Sequence, residues 1–442
     1  NKDKLRKRKN EKIHHRGPDA EGIFVESDVA LGQRRLSIID LAGGNQPIYN
    51  EDKSILIMYN GEVYNYKELK EELTEYKFET ESDTEVVLHG YEKRGHDLPK
   101  KLRGMFAYAI YDKNKGEIFI SRDQFGIKPL YYYHDGDTIL FGSEIKSFLA
   151  YPKFKKVLNK ELLGAYLTFS FTPTDETFFK GVYRLPSGHS MTIDVKKRKI
   201  KIDRYFKVEF GNTDKSFDEV VKDISTAMKD STEHHLISDV EVGSFLSSGV
   251  DSSYLVSLAK PDKTYTIGFD LAKYSEIDYA KDLTDKLNIK NISEKISKEE
   301  YMNALSEVYY HMDEPTADGC AIAVYFLSRL ASKDVKVVLS GEGADEFFGG
   351  YNSYDDNFYT KLPFFIRKSM ASICKILPKN KITRYIIRRG LPLEESYVSI
   401  NRTYYDDELK DGSKIDNYIK NKDIVKNGYD EYKDYIKPDN ML

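Results

Sequence analysis

The first half of the chain consists mainly of short hydrophobic runs separated by polar stretches. Turn-forming stretches such as DQFG, HDGD and LPSG separate these runs, which is typical of β-strands joined by tight loops. Two longer segments, YKELKEELTEY (66–76) and TEVVLHGYEKRG (84–95), have helical spacing instead. The pattern predicts an α+β half in which sheets pack against helices. The predicted strands are GIFVE (22–26), ALGQRRLSII (30–39), SILIMYN (54–60), MFAYAIYD (105–112), EIFISRD (117–123), PLYYYH (129–134), TILFGS (138–143) and HSMTIDV (189–195).

The pattern changes in the second half. Ser216 and Glu219 form an S-x-x-E capping box, which predicts the start of an amphipathic helix. Strands then alternate with amphipathic segments, and this alternation favours a parallel, doubly wound α/β sheet. We place the domain boundary near 206–215 and expect domains at 1–205 and 206–442. The predicted strands are VEVGSFL (240–246), TYTIGF (264–269), NISEKI (291–296) and VKVVLS (335–340).

Composition narrows the function classes. The chain has 442 residues and a formal net charge of −4, which argues against broad attraction to nucleic acids or membrane surfaces. No apolar run approaches the roughly 18 residues of a membrane helix, and no secretory signal opens the chain. Its two cysteines, Cys320 and Cys374, fit a reducing cytoplasm. Both lie in apolar helical patterns, so we expect each to be a buried core residue.

The stretch SSGVDSS (247–253) follows a predicted strand and precedes an apolar segment. Small residues let backbone N–H groups approach a phosphate, and a helix N-terminus adds a favourable dipole. The loop lacks the lysine of a Walker A motif and carries Asp251 instead. A bridging Mg²⁺ would explain this carboxylate, because Mg²⁺ takes one or two carboxylates together with phosphate oxygens. The alternative is an ordinary strand–turn–helix connection with serine caps.

A second loop, SGEGADEFFGGY (340–351), follows the last predicted strand. Its glycines let a ligand lie close to the chain. Glu342, Asp345 and Glu346 bring three carboxylates to the same edge of the sheet, where open α/β sheets bind ligands. Asp251 and Asp345 are candidate partners on one Mg²⁺, which leaves Glu342 for a chemical role. A solvated acidic turn is the alternative.

Together these two loops resemble the synthetase domain of the asparagine synthetase B family, an α/β parallel-sheet ATP-pyrophosphatase domain. The family's first loop usually reads S-G-G-x-D-S-S, and this chain differs only at Ser248. The resemblance implies that Asp251 and Asp345 hold Mg²⁺ and that Glu342 supports formation of an aspartyl-adenylate and its attack by ammonia. The ATP-binding residues that it implies are Leu246, Ser247, Ser248, Gly249, Val250, Asp251, Ser252, Ser253, Ile267, Ser340 and Gly341.

The first half resembles the glutaminase domain of class II amidotransferases, whose fold is an N-terminal-nucleophile αββα sandwich. The resemblance implies that Arg35 grips the α-carboxylate of glutamine, that Asp83 meets its α-ammonium, and that Asn60 and Gly61 form an oxyanion hole. Leu36, Ser37, Ile38, Ile39 and Glu62 would line the same pocket. The motifs that carry the resemblance are HRGPD (15–19), RRLSIIDL (34–41), NGEVYN (60–65), SDTEV (82–86) and SRDQFGIKPLYY (121–132).

The sequence departs from the family at both ends. The family's nucleophile is an N-terminal cysteine, whereas this sequence begins at Asn1 and has no cysteine before Cys320. Nothing towards its end matches the family's R-V-P-F-L-D segment. The sequence therefore resembles a copy that lacks both ends, and we expect little glutaminase activity from it as it stands.

The expected function is ATP-dependent amidation of aspartate to asparagine, with ammonia from glutamine and with AMP, pyrophosphate and glutamate as co-products. Partners would be these small molecules, without nucleic acid or membrane, and the family resemblance allows a homodimer. One alternative is a related ligase that acts on another carboxylate, such as a sugar acid, a peptide or a β-lactam precursor. A second is a non-catalytic nucleotide-binding relative. ATP–pyrophosphate exchange that aspartate does not stimulate would favour the first alternative over asparagine synthesis. A titration of Mg²⁺-dependent ATP binding tests the second alternative.

Overall fold

The structure is a computed structural model. It describes residues 9–211, 213–270, 275–350, 361–378, 380–391 and 421–432.

Among its described residues, the first half contains eleven strands and three α-helices of six to twelve residues, and residues 9–12 are helical as well. The strands are β1 (Ala20–Glu26), β2 (Val29–Arg35), β3 (Ile48–Tyr49), β4 (Ile55–Val63), β5 (Gly104–Asp112), β6 (Glu117–Arg122), β7 (Tyr131–His134), β8 (Ile139–Gly142), β9 (Val182–Arg184), β10 (His189–Asp194) and β11 (Lys199–Arg204). The helices are α1 (Tyr66–Glu71), α2 (Asp83–Arg94) and α3 (Leu163–Phe169). Short 3₁₀ helices lie at His14–Arg16, Gly95–Lys101, Ile145–Ala150 and Lys160–Leu162.

These elements form four layers around a six-stranded antiparallel sheet of order β11-β10-β6-β5-β4-β3. One face of this sheet packs against α1 and α2, where Val87 and Leu88 meet Ile57. The opposite face packs against the β1–β2 hairpin and β7. β7 also belongs to a three-stranded sheet of order β8-β7-β9. The 3₁₀ helix that contains Phe148 packs against this sheet. Apolar side chains thus fill three interfaces, and the predicted αββα sandwich is confirmed.

The second half begins with α4 (Phe217–His235), whose capping box between Ser216 and Glu219 is present as predicted. Four strands pair in parallel in the order β14-β13-β12-β15, so the predicted parallel sheet is confirmed. The strands are β12 (Val242–Phe245), β13 (Lys263–Phe269), β14 (Lys290–Ile296) and β15 (Val337–Leu339). The remaining helices are α5 (Val250–Ala259), α6 (Ile277–Leu287), α7 (Lys298–Met312), α8 (Cys320–Ala331), α9 (Ala344–Phe348), α10 (Phe364–Cys374), α11 (Lys381–Arg389) and α12 (Asn421–Tyr432).

Helices cover both faces of this sheet. On one face Val308 of α7 and Phe326 of α8 pack against Tyr265 of β13. On the other face Val256 of α5 and Ala280 of α6 pack around Leu246. The sheet is therefore doubly wound, and the loops after its strands lie at one edge. Among the described residues, the helices are all too short or too polar to cross a membrane.

Three sequence predictions were wrong in detail. The strand expected to run through LSII ends at Arg35, because the chain turns there and the Arg35 guanidinium bonds the carbonyls that follow. The helix predicted for 66–76 ends at Glu71. Cys374 is buried as expected, but Cys320 is exposed. It is the first residue of α8 and lies off the buried stripe of that helix.

Candidate functional site

The loop after β12 is held by its own serines. The hydroxyl groups of Ser247 and Ser252 lie 2.8 Å apart, and the Gly249 N–H donates to the Ser247 hydroxyl over 3.1 Å. The Ser248 hydroxyl donates to Glu276 at the start of α6, over 2.7 Å. Gly249 caps α5 without any side-chain hydrogen bond. The loop is therefore pre-formed. The backbone N–H groups in the first turn of α5 could donate hydrogen bonds to a phosphate.

The two signature loops, SSGVDSS (247–253) and SGEGADE (340–346), meet at Gly341. A Cβ atom placed on this glycine would lie 3.0 Å from the Ser252 nitrogen and 3.4 Å from the Asp251 Cβ. The strands that lead into the loops are neighbours, with Ser244 of β12 paired to Leu339 of β15. A parallel register therefore delivers both loops to one edge, and a side chain at Gly341 would crowd the first turn of α5.

The carboxylates of this edge reach solvent. Asp251 and Glu342 are exposed, and Asp345 is half-buried on α9. Their oxygens suit Mg²⁺, which prefers carboxylate and phosphate oxygen ligands. Among the described residues, the one group of three acidic or histidine side chains within 4.8 Å lies elsewhere, in the first half. Two carboxylates on a phosphate-bound ion need no such three-residue group.

Two of the residues expected to bind ATP are core residues in this structure. Leu246 is 3% exposed and Ile267 is 7% exposed. The Leu246 N–H donates to the Tyr265 carbonyl, and the Thr266 hydroxyl donates to the Leu246 carbonyl. These bonds fix the strand end from which the serine loop departs. Val250 is in contrast exposed, Ser253 is half-buried, and Ser340 is exposed beside Gly341.

In the first half, Arg35 is buried and its two terminal nitrogens are occupied. Nη2 donates to the carbonyls of Ile39 (3.0 Å) and Asp40 (2.7 Å), and Nη1 donates to Asn45 Oδ1 (3.1 Å). Burial lowers the pKa of Arg35, while the charge of Asp40 opposes this effect. The guanidinium thus shapes the loop that follows β2. A bidentate grip on a carboxylate would require these bonds to be exchanged.

Asp83 is buried at the first turn of α2. Its Oδ2 accepts from the Tyr59 hydroxyl (2.8 Å) and from the Val63 N–H (3.0 Å). Burial raises the pKa of Asp83, against the lowering effect of those hydrogen bonds. The capping serine, Ser82, accepts from the Thr84 N–H. The helix start therefore fixes this carboxylate against β4.

Glu62, on β4, lies near Asp83 of α2 and is 5% exposed. Burial raises its pKa to about 7, with a lowering contribution from Lys128 and a raising one from Asp83. Lys128 was not among the residues singled out from the sequence, although it belongs to the SRDQFGIKPLYY motif that was. Burial lowers its pKa, and Glu62 opposes this. Glu62 is thus a buried acid with a pKa near neutrality, and the half-buried Lys128 acts on it through its charge.

A cavity of about 260 Å³ lies beside β4. Asn60 and Gln33 line it, and within the described part of the chain Asn60 Nδ2 and Gln33 Oε1 are buried without a hydrogen-bond partner. A buried donor and acceptor left unpaired suit a polar ligand group such as an amide. Gly61 packs so closely against β5 that a Cβ there would lie 2.2 Å from the Met105 carbonyl oxygen.

The other expected pocket residues follow β2. Ser37 and Ile39 are buried, while Leu36 and Ile38 are half-buried. The Ser37 N–H donates to Asp19 Oδ2 over 2.9 Å, which joins the RRLSIIDL and HRGPD motifs. The residues expected to bind glutamine thus lie on β2 and the loop after it, on β4 and in the first turn of α2, and the Arg35 guanidinium is bonded to its own loop.

The αββα half with this set of polar groups is followed by a doubly wound half with two contacting small-residue loops, which is the architecture of an amidotransferase-type domain joined to an α/β domain. Comparison with known families agrees. A glutamine amidotransferase domain matches residues 1–206, and an asparagine synthase domain matches residues 223–427. The chain belongs to the asparagine synthetase (glutamine-hydrolysing) family.

Individual relatives show the same similarity. "Asparagine synthetase [glutamine-hydrolyzing] 1" of Bacillus subtilis (strain 168) is 42% identical over 419 residues, which cover 92% of this chain and 66% of that protein. "Putative asparagine synthetase [glutamine-hydrolyzing] 2" of Methanocaldococcus jannaschii is 37% identical over 81% of this chain and 75% of that protein. The chain thus spans 66% of the length of the Bacillus relative.

A solved glutamine phosphoribosylpyrophosphate amidotransferase from B. subtilis aligns with 65% of this chain and 62% of that chain. Its sequence identity is 16% and its TM-score is 0.34, which is too low to support any inference.

Proposed function

We propose that this protein makes asparagine from aspartate, using ATP and ammonia that is derived from glutamine. The observation that carries the proposal is the contact of the two signature loops, where Gly341 lies against Asp251 and Ser252. Family membership supports the reaction, and the names of the relatives support aspartate as acceptor and glutamine as donor.

In the nucleotide half, the serine loop and the start of α5 would bind the pyrophosphate of ATP. Their N–H groups and hydroxyls supply donors, and Asp251 with Asp345 would hold the Mg²⁺ that neutralises the phosphate charge. The aspartate side-chain carboxylate attacks the α-phosphorus of ATP and displaces pyrophosphate. Ammonia then attacks the carbonyl carbon of the aspartyl-adenylate, and AMP leaves. Glu342, exposed beside this edge, would assist these steps.

In the glutaminase half, Asn60 Nδ2 has no hydrogen-bond partner among the described residues, and this supports its place in an oxyanion hole together with the Gly61 N–H. Glu62 and Asp83 are the buried acids that would meet the α-ammonium of glutamine. Arg35 would bind the α-carboxylate after exchanging bonds with its own loop. Leu36, Ser37, Ile38 and Ile39 would form the adjoining wall.

The test is ATP–pyrophosphate exchange by the whole chain with Mg²⁺. We expect exchange to depend on aspartate, and we expect asparagine to form when ammonium is supplied. Asp251→Asn should abolish exchange, whereas Asp278→Asn, in the equivalent first turn of α6, should not. Exchange that another carboxylate supports and aspartate does not would replace the proposed acceptor. ATP binding without any exchange would favour a non-catalytic protein.

A further inference from the structure

Helices α10 and α11 pack together as a hairpin in the second half. A Cβ on Gly390, directly after α11, would lie 2.6 Å from the Arg367 carbonyl oxygen of α10, so the two helices are in close contact. The Arg367 guanidinium also donates to the Arg389 carbonyl over 3.2 Å. Ala371 and Cys374 are the buried residues of α10 and mark the side that packs inwards. The opposite side of α10 faces outwards.

Large apolar side chains are exposed on this outer side. Phe365 is 70% exposed, and Ile376, in the turn after α10, is 87% exposed. They are eleven positions apart, about three helical turns, so they lie on the same side. Ile382, in the first turn of α11, is 70% exposed beside the connection between the helices. An exposed apolar group of this kind marks a surface that meets a partner or a membrane.

The connection between the two helices is ordered by its own hydrogen bonds. Asn380 Oδ1 accepts from the N–H groups of Ile382 and Thr383, each over 2.9 Å. The Thr383 hydroxyl donates to the Pro378 carbonyl over 3.1 Å. The exposed side chains at this end of the hairpin are therefore held on a fixed backbone, and binding through them costs little conformational entropy of the chain.

Basic residues flank the apolar ones. Between Asp356 and Glu394 the sequence contains nine lysines and arginines and no acidic residue. Lys368 and Lys375 are seven positions apart and share one flank of α10, and Lys381 begins α11. All three lysines are exposed, and in the part of the chain that the structure describes none of them has an acidic partner. The net charge of −4 is an average over the whole chain and does not describe this segment.

An anionic lipid surface fits both properties of the hairpin. Each lysine near such a surface strengthens binding by about fivefold, and apolar side chains next to basic ones enter the boundary between headgroups and acyl chains. Nucleic acid would neutralise the same lysines but would leave Ile376 and Ile382 in water. Because no helix of the described residues is long and apolar enough to cross a membrane, the contact would be peripheral.

We propose that the α10–α11 hairpin docks this protein on an anionic membrane surface. Phe365, Ile376 and Ile382 enter the interface, and the three lysines contact the lipid headgroups. This inference goes beyond the proposed function and does not rest on it. The expectation from net charge that membranes are not partners then applies to the rest of the surface and not to the hairpin.

The experiment is co-flotation of the whole chain with vesicles of phosphatidylcholine alone and of equimolar phosphatidylcholine and phosphatidylglycerol. We expect binding to the anionic vesicles to be about tenfold or more stronger. Added NaCl should weaken it, because salt screens exposed charges. Two triple variants should each lose about tenfold or more of this binding: Phe365→Ser, Ile376→Ser, Ile382→Ser, and Lys368→Gln, Lys375→Gln, Lys381→Gln.

Matched variants on other helices are the controls, and they should bind the anionic vesicles as the unsubstituted chain does. The melting temperature of every variant shows whether it is folded. The apolar control removes exposed side chains from α4, and the lysine control removes exposed lysines from α4, α6 and α7: Phe217→Ser, Val221→Ser, Ile224→Ser, and Lys222→Gln, Lys281→Gln, Lys298→Gln.

Several outcomes would overturn the inference. The chain binds neither kind of vesicle, binds both equally, or binds the anionic vesicles as strongly after the hairpin is changed. Sedimentation gives another: self-association that the apolar variant abolishes, without vesicle binding, assigns the hairpin to contacts between copies of the chain. Lysine-dependent binding to duplex DNA without binding to vesicles assigns it to nucleic acid. ATP–pyrophosphate exchange is measured separately, so failure of the proposed function is distinguishable from failure of this inference.

Discussion

Gly341, on the loop after β15, meets Asp251, in the first turn of α5, at the edge of the parallel sheet, where a Cβ on the glycine would lie 3.4 Å from that of the aspartate. The same added carbon would lie 3.0 Å from the Ser252 nitrogen. This contact joins the two signature stretches into one surface.

Enlarging Gly341 should therefore weaken nucleotide binding. Gly341→Val places branched methyl groups against the first turn of α5, and overpacking of this kind costs about 1–3 kcal/mol. We expect the ATP affinity to fall about tenfold or more, measured by titration calorimetry. Gly211→Ala is the control, since a Cβ there meets no atom within 4 Å. Unchanged ATP binding by Gly341→Val would separate this contact from the nucleotide site.

Asp251→Asn should remove the Mg²⁺ dependence of ATP binding. In the unsubstituted chain, we expect Mg²⁺ to tighten ATP binding about tenfold or more, because a carboxylate without a cation repels the phosphates. The variant should bind ATP equally with and without Mg²⁺. Folding should be nearly unaffected, since Asp251 is exposed and its favourable interaction with the helix dipole is worth about 0.3–1 kcal/mol. Retained Mg²⁺ dependence would remove Asp251 from the metal site.

The raised pKa of Glu62 leads us to expect that glutamine binding depends on pH. Its pKa is raised to about 7, chiefly by burial, so the carboxylate ionises as the pH rises through neutrality. The ionised form attracts the α-ammonium of glutamine, and we expect glutamine affinity to increase between pH 6 and pH 8. Glu62→Gln should flatten this profile, as measured by calorimetry at each pH.

The same raised pKa affects folding with a defined sign. A carboxyl whose folded pKa exceeds its unfolded value contributes stability that is complete below about pH 4.5 and is lost as the pH rises through about 7. Glu62→Gln should therefore gain stability relative to the unsubstituted chain between pH 5 and pH 8, by roughly 2–3 kcal/mol. The free energies of unfolding would be measured in urea at each pH. If the difference between the two proteins did not change with pH, the raised pKa of Glu62 would be contradicted.

His89 should stabilise the first half through two carboxylates. It is 1% exposed, its Nδ1 lies 2.7 Å from Glu92, and its Nε2 lies 3.7 Å from Glu85. Burial lowers the pKa of His89, but these two contacts outweigh it and raise the value to about 9. His89→Gln should cost about 3 kcal/mol at pH 6, because it leaves buried carboxylates without their cation.

The sign with pH follows from the raised value. The contribution of His89 is complete below about pH 6.5 and is lost as the pH rises through about 9. Urea unfolding at pH 6, 8 and 10 should therefore show the variant and the unsubstituted chain converging. His96→Gln is the control, because the His96–Glu117 pair is 46% exposed at the histidine and should contribute less than about 1 kcal/mol.

Local patterns in the sequence predicted most of the fold. Short apolar runs bounded by turn residues mark β1, β4, β5, β6 and β10, and the runs are continuous in β4, β5 and β6 because these strands are buried on both faces. The Ser216–Glu219 box marked the start of α4, since capping needs only residues three apart. Short elements such as β3 and β9 were missed because two or three residues are too few to show a period.

What the sequence determined by itself is the chemical inventory: two small-residue loops after parallel strands, three carboxylates beside them, and an amide, acids and an arginine in the first half. Tertiary structure decided which of these groups are free to act. It turned Arg35 onto the carbonyls of Ile39 and Asp40, left Asn60 Nδ2 without a partner in the described part of the chain, and raised the pKa of Glu62 through burial. Those properties depend on neighbours that are distant along the chain, and a linear pattern carries no information about which distant groups share a hydrogen bond or exclude water.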